Sequence, residues 1–294
     1  MAWQLTDDVD VYLAAAGDFL HVDAARNTIQ LSAAQTVQAQ GPAAFGGTTP
    51  LYGWWTGPDG AVGAAFLHTP PFPIVLTALP PGADQALVAV LADLGHHPPG
   101  VNAAPETGTA FAAAWQERTG QPSHVGMRMR LYRLGQLLPP NPPPAGGPRT
   151  ASAADRDLLL AWLDAFHDEA GPPGPRESQQ VVDSRLGFGG LMLWEHASSP
   201  VSLAARTKVV GGQARIGPVY TPPELRGRGF GAGVTAAVTR AALDGGADVV
   251  VLFTDLANPT SNTLLPAPRL PPGQRLGSAQ IRRPRRLMYQ TAMS

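Results

Sequence analysis

ARIGPVYTPPELRGRGFGAGVTAAVTRAAL, residues 214–243, is the stretch on which the fold turns. Its first eight letters read as a strand over 214–221, which Pro222-Pro223 stops because proline fixes φ and donates no ladder hydrogen bond. The Arg/Gly run from Arg226 to Gly231 then opens an apolar helix over 230–244. A helix start leaves its first backbone amides without partners, and the positive end of the helix dipole lies there. Glycines at 227, 229 and 231 let the main chain approach a ligand closely, and Arg226 and Arg228 add charge-assisted donors. Such a place suits a pyrophosphate. A Gly-rich solvent turn with incidental arginines is the plainer reading, disfavoured by the ordering entropy that three alternate glycines cost.

Three nucleotide patterns compete for this loop. The Walker pattern fails, since no Gly-Lys-Ser/Thr follows. A dinucleotide pattern survives loosely: Gly227, Gly229 and Ala232 fit G-x-G-x-x-A, and Asp255 ends a strand at roughly the required distance. That would make the chain an NAD(P)-binding oxidoreductase, but TPPEL intervenes where that fold passes almost directly from strand to glycines.

Outward from the loop, the 294 residues suffice for two ordinary domains. The 21 basic and 22 acidic residues give a net charge of -1, which supports neither a nucleic-acid nor a membrane partner. Cysteine is absent, which excludes disulfides, thiolate nucleophiles and Cys-ligated metals. The start, MAWQLTDDVDVYLAAAGDFL, carries acids where a signal peptide would carry basic residues, and no apolar run is long enough to span a bilayer. These features lead us to expect a cytoplasmic protein.

The proline-rich LLPPNPPPAGGPRT, residues 137–150, cannot join a helix or an interior strand and reads as a semi-rigid connector. It sets an expected linker at 139–148 between domains at 1–138 and 149–294. Before it, apolar spacing predicts helices over 9–20, 24–38, 83–94 and 107–119, and strands over 51–55, 62–67, 74–79 and 124–134. After it come helices over 153–170, 178–186 and 230–244, and strands over 191–195, 201–208, 214–221 and 249–254. At an offset of 140, Trp54 falls on Trp194 and Ala64-Ala65 on Ala204-Ala205, a weak sign of an internal repeat.

The run Arg226-Gly227-Arg228-Gly229-Phe230-Gly231 resembles the R/Q-x-x-G-x-G/A signature of the GNAT superfamily of N-acetyltransferases. GPVYTPPELRGRGFG looks like that family's splayed fourth strand and pyrophosphate loop, and VVVLFTDLANPTSN like its fifth strand and the start of the next helix. The resemblance covers residues 149–262, and more faintly the first half, where LPPGADQALVAVL lacks the signature. It implies an α/β chain of two GNAT-like halves, each a mixed, mostly antiparallel sheet flanked by helices, with a degenerate N-terminal copy that does not bind coenzyme A.

Carried over by position, the resemblance implies acetyl-CoA as donor, with the backbone of Val219 and Thr221 along the pantetheine arm. The amides of Arg226, Gly227, Arg228, Gly229, Phe230 and Gly231 would hold the pyrophosphate, and Asn258 would reach the pantetheine or a water. Asn258 also suits a helix cap before Pro259. The acceptor would be a small amine, an amino acid or a peptide N-terminus. Transfer needs a proton acceptor, and Glu195 and Asp255 at strand ends are candidates, with Tyr220 to line the cleft; each is also an ordinary strand-end residue. No metal site is expected: His167-Asp168-Glu169 points to different helix faces, and His96-His97 sits in a Gly/Pro loop. A homodimer is compatible with the sequence but not decided by it.

One slot departs from the family pattern. Leu265 stands where the family has a Tyr acid for the leaving thiolate, and Arg269-Leu270 where Gly-Phe/Tyr is usual. Residues 265–294 hold six arginines and no acid. Suitable codons for 264–280 with one base deleted yield L-Y-Q-R-L-G-Y-R-P-V, which restores the pattern and suggests a frameshifted tail from Leu265. Two consequences are expected: an impaired transferase or an acyl-CoA-binding module without chemistry, and an exposed sheet edge.

Overall fold

The computed structural model describes residues 1–46, 48–170, 176, 178–257 and 275–281. Two rounds of largely the same element order build it, the second without a described counterpart of the first round's last helix. The first runs β1 (Ala2–Thr6), α1 (Val9–Val22), α2 (Thr28–Gln40), β2 (Leu51–Thr56), β3 (Val62–His68), β4 (Ile74–Leu76), α3 (Ala83–Asp93), β5 (Gly100–Ala103), α4 (Pro105–Thr119) and β6 (Ser123–Arg133). The second runs β7 (Gly147–Thr150), α5 (Arg156–Ala170), α6 (Ser178–Leu186), β8 (Leu191–His196), β9 (Ser199–Arg206), β10 (Gln213–Tyr220), α7 (Phe230–Asp244), β11 (Val249–Asp255) and β12 (Arg275–Ile281). Leu265 and Asn258 lie outside the described residues.

Local chemistry explains many of the boundaries. Asp8 starts α1 by accepting the amides of Asp10 and Val11 at 2.8 and 3.3 Å. Pro105 opens α4, where a missing N–H costs nothing. Ser152 and Asp155 form a reciprocal capping box just before α5.

The α/β reading with two mixed, mostly antiparallel halves is borne out, and the halves join edge to edge. Their strands form a single twelve-stranded sheet in the order β1-β2-β3-β4-β5-β12-β6-β11-β10-β9-β8-β7. Each half has one parallel pair, β4 with β5 and β10 with β11, and is otherwise antiparallel. At the centre the halves exchange their last strands. β6 of the first half lies against β11 of the second, β12 of the second lies against β5 of the first, and β6 and β12 pair with each other. The expected exposed edge is therefore corrected: Arg275–Ile281 fills the gap between β5 and β6. Two smaller corrections follow. β7 begins at Gly147, inside the expected connector, because Gly147 and Pro148 pair with Glu195 and Trp194. β4 ends at Leu76, since the next residue, Thr77, turns its hydroxyl onto the Ala65 amide.

The 140-residue offset holds for Trp54 and Trp194, which occupy the fourth positions of β2 and β8. It fails for the alanines. Ala64 and Ala65 face Trp55 and Trp54, whereas Ala204 and Ala205 face Met192 and Leu191. The loop joining β8 to β9 is shorter, Ala197-Ser198 in left-handed backbone, and this shifts the register.

Apolar side chains cover both sheet faces in each half. Phe66, Leu87, Leu91, Phe111 and Trp115 fill the layer under α3 and α4, and Tyr12, Leu20, Leu31 and Tyr52 the layer under α1 and α2. In the second half, Phe230, Val234 and Val238 of α7 cover one face, and Leu159, Leu163, Leu191 and Leu203 the other. Each such side chain contributes roughly 1.5–3 kcal/mol on burial. The halves also touch through polar groups: Thr28 Oγ1 donates to Gln213 Oε1 at 2.7 Å, and Gln40 Nε2 to Ser184 Oγ at 3.2 Å.

Candidate acyl-donor site

The loop and the strands around it form a wedge. β10 and β11 pair in parallel only from Gln213↔Val249 to Ile216↔Leu252. Beyond that, β10 continues to Tyr220 along β9, and β11 continues to Asp255 along β6. Between Ile216 and Val219 the register of β10 on β9 shifts, a bulge that bends the strand away from β11. One edge of β10 past Gly217 therefore faces no strand among the described residues. Val219 packs with the α7 layer, which places the wedge directly under the start of that helix.

Sequence explains why α7 begins here. Gly227 and Gly229 hold φ at 75° and 79°, a left-handed backbone that glycine adopts without steric cost. Gly229 is the helix cap, has no side chain to block its amides, and sits against Pro144 of the connector. Among the described residues, no backbone acceptor takes the amides of residues 227–232. Six consecutive free donors at the positive end of a 15-residue helix form an anion cradle.

The arginines divide their roles differently from the sequence expectation. Arg228 is exposed beside the cradle. Arg226 turns back instead: its Nε donates to the Thr221 carbonyl at 2.8 Å, and its guanidinium pairs with Glu169 at the end of α5. It also lies 5.9 Å from the Tyr220 ring centroid. Arg226 thus shapes the loop from beneath, and the Thr221 carbonyl expected along the pantetheine arm is already bonded.

Tyr220 is buried on the α5 face, its ring centroid 6.1 Å from that of Trp162. Its hydroxyl donates to Glu169 Oε1 at 3.3 Å. Burial, reinforced by the Glu169 charge and hydrogen bond, raises the phenol above its ordinary pKa, so it stays protonated at neutral pH. Glu195 is not brought to the wedge. It lies on β8, two strands from β10, and accepts Arg149 Nε at 2.7 Å, while the same guanidinium grips Asp155 twice at 2.7 Å. Asp255 ends the β11 arm of the wedge, where its Oδ1 accepts the Ala257 amide at 2.9 Å.

Glu169 is the residue that sequence reasoning missed here, having weighed it only within His167-Asp168-Glu169 as a metal ligand. Its separation from Arg226 by 57 positions gives no local signal. Arg215 is a second omission. It stands between apolar Ala214 and Ile216 on β10, so an alternating strand carried a charge on one face, and that pattern could have marked it.

No family model matches the sequence, and no curated protein does. Solved structures do match in fold. A GCN5-related N-acetyltransferase from Sphaerobacter thermophilus superposes with a TM-score of 0.56 at 15% identity, covering 96% of this chain and 96% of that one. A GNAT-family acetyltransferase from Colwellia psychrerythraea gives 0.53 at 10% identity, with 96% and 99% covered. A GCN5-related N-acetyltransferase from Kribbella flavida gives 0.51 at 21% identity, with 74% and 86% covered. The chain has the GNAT N-acetyltransferase fold, in two tandem halves. The largely antiparallel sheet also departs from the parallel doubly wound sheet that an NAD(P) site of the G-x-G-x-x-A type requires. No helix among the described residues is long and apolar enough to cross a membrane.

Proposed function

We propose that the second half binds acetyl-CoA and that the chain transfers the acetyl group to a small amine. The observation that carries this reading is the cradle of free amides at residues 227–232, set beside an opened β10–β11 wedge. The residues fit the donor. A pyrophosphate matches the cradle and Arg228, and the edge of β10 past Gly217, unpaired among the described residues, offers backbone groups to an amide-bearing arm. When bound, the donor supplies an activated acyl thioester.

In the transfer, a neutral amine forms a C–N bond to the acyl carbonyl, the C–S bond breaks, and the one proton the amine loses is balanced by one that the leaving thiolate gains. This chain's own contribution is mainly to position the reactants and exclude water. Tyr220, fixed by Glu169, closes the α5 side of the wedge as a protonated phenol. Asp255 on the β11 arm takes the amine proton through water. With Leu265 in the slot where the resemblance expects a Tyr acid, the leaving thiolate draws its proton from solvent, and turnover is slow.

That same leucine supports a second reading, an acyl-CoA-binding module without catalysis. Thiol release from acetyl-CoA over a panel of amines separates the two. Amine-dependent release supports the transferase, binding without release supports the module, and failure of coenzyme A to bind overturns both.

A further inference from the structure

A cavity of about 370 Å³ lies on the sheet face opposite α7, between α2 of the first half and α6 of the second. Its volume is within the range of small-molecule sites. Its floor crosses the centre of the sheet, from Asn102 on β5 through Met129 on β6 to Arg215 on β10. β5 and β10 are four strand steps apart, about 19 Å between backbones, so the cavity is elongated. One end reaches the wedge: Arg185, in its wall, donates to the carbonyl of Gly217, where β10 parts from β11.

The charge of this cavity is one-sided. Arg185, Lys208 and Arg215 line it, and none of its described lining residues is an Asp or Glu. Residues 258–294 contain no acid either. Arg215 Nη1 is buried and has no hydrogen-bond partner, and burial lowers the guanidinium pKa to about 10. At neutral pH this Nη1 is a buried donor on a charged, half-buried side chain with no acceptor, an arrangement that costs stability unless a ligand completes it. At the far end Asn102 Oδ1 is likewise buried and unpartnered. Between these ends the walls are largely apolar, with Phe45, Leu67, Phe72 and Val75.

We propose that this cavity is the acceptor subsite and takes an amino acid with a free α-carboxylate and a bulky apolar side chain, the carboxylate meeting Arg215. The side chain lies along the apolar wall toward Asn102, which leaves the α-amine at the wedge end. The acceptor role rests on the transferase reading above; the binding of the carboxylate does not.

The test is calorimetric titration of the full chain with L-phenylalanine, 3-phenylpropionate and L-phenylalaninamide. The two carboxylates are expected to bind about 10- to 100-fold more tightly than the amide. Arg215→Met should abolish that preference while leaving the melting temperature of the free protein unchanged or higher, since it removes an unpaired buried charge. Equal binding of acid and amide to the native chain overturns the proposal, as does binding of none of the three or a preference that survives in Arg215→Met. Should Arg215→Met fail to fold, the comparison on the native chain decides. Carboxylate binding without thiol release from acetyl-CoA overturns the acceptor role and leaves the anion site standing. Thiol release with amines regardless of a carboxylate overturns the site and leaves the transferase.

Discussion

Helices α3 and α7 occupy equivalent places in the two halves, and their first residues differ in an instructive way. Both are capped by a glycine in the same left-handed conformation, Gly82 at φ 80° and ψ −9°, Gly229 at φ 79° and ψ −2°. The frame of the loop is thus present twice. In the first half the path is short and tied down: the Ala83 amide bonds to Pro80, the Ala83 carbonyl takes the Trp3 indole at 2.8 Å, and Thr77 ties the chain back to β3, so that only the Asp84 and Gln85 amides of the first turn lack a described backbone acceptor. In the second half, residues 221–229 replace that short path, β10 is splayed, and the amides of residues 227–232 have no backbone acceptor among the described residues. A glycine cap is the common geometry; a longer run of free amides beside an open wedge is what distinguishes the proposed site.

Substitution at the two caps should break this comparison most visibly. Gly229→Val places a β-branched residue in left-handed backbone and is expected to weaken coenzyme A binding on the order of 100-fold or more. Gly82→Val carries the same strain, about 1–2 kcal/mol of stability, and should leave coenzyme A affinity unchanged. Titration calorimetry and thermal melts on both variants give the answer, and equal losses of affinity would remove the distinction between the halves.

The first half also carries a pH liability of its own, in a buried histidine pair. His68 Nδ1 contacts His96 Nε2 at 2.5 Å and His68 Nε2 contacts the Phe72 carbonyl at 2.8 Å. Burial, then the neighbouring His96, lowers the His68 pKa to about 4. The unfolded chain takes up this proton near pH 6.5 and the folded chain only near pH 4. Stability should therefore fall as pH drops through that window, by about 3 kcal/mol, and level off below it. Denaturant unfolding from pH 7 to pH 4 measures the slope, and His68→Gln should flatten it.

In the second half the comparable tie is Arg149, which joins β7, β8 and the start of α5. Its guanidinium, with the Ser152 amide and hydroxyl, holds the Asp155 carboxyl well below the usual carboxylate range. That stabilisation is present above the ordinary Asp pKa and is lost as pH falls below it. Arg149→Ala should cost about 2 kcal/mol at neutral pH, read by denaturant unfolding. The smallest effect is expected at Arg226. Its guanidinium faces Glu169 and Thr221, so Arg226→Ala should reduce coenzyme A affinity by about tenfold or less through a looser loop. A loss as large as that of Gly229→Val would return Arg226 to direct contact with the pyrophosphate.

Much of the fold was legible because the long elements carry strong periodicity. The 230–244 and 178–186 helices match α7 and α6 at both ends. The strands that escaped notice are β1, β5, β7 and β12, whose sequences AWQLT, GVNA, GPRT and RLGSAQI are short or broken by Gly and Pro. The exchange of β6 and β12 was not legible at all, since a strand's pattern records which faces are buried and not which strand lies alongside. In the site, the loop glycines announced themselves through backbone chemistry, whereas the Glu169–Arg226 clamp depends on a contact across 57 residues. The frame of the tail is a question for the gene: a single-base change that restores Tyr at position 265 is expected in its DNA, and a gene in which no such change exists refutes the shift.

The most direct measurement of the central claim is the stoichiometry of coenzyme A binding to the full chain by titration calorimetry. One site per chain is expected, because among the described residues the loop at 227–232 offers the long run of free amides beside an opened wedge. Two sites would contradict the reading of the first half as a non-binding copy, and no binding would contradict the assignment of the second.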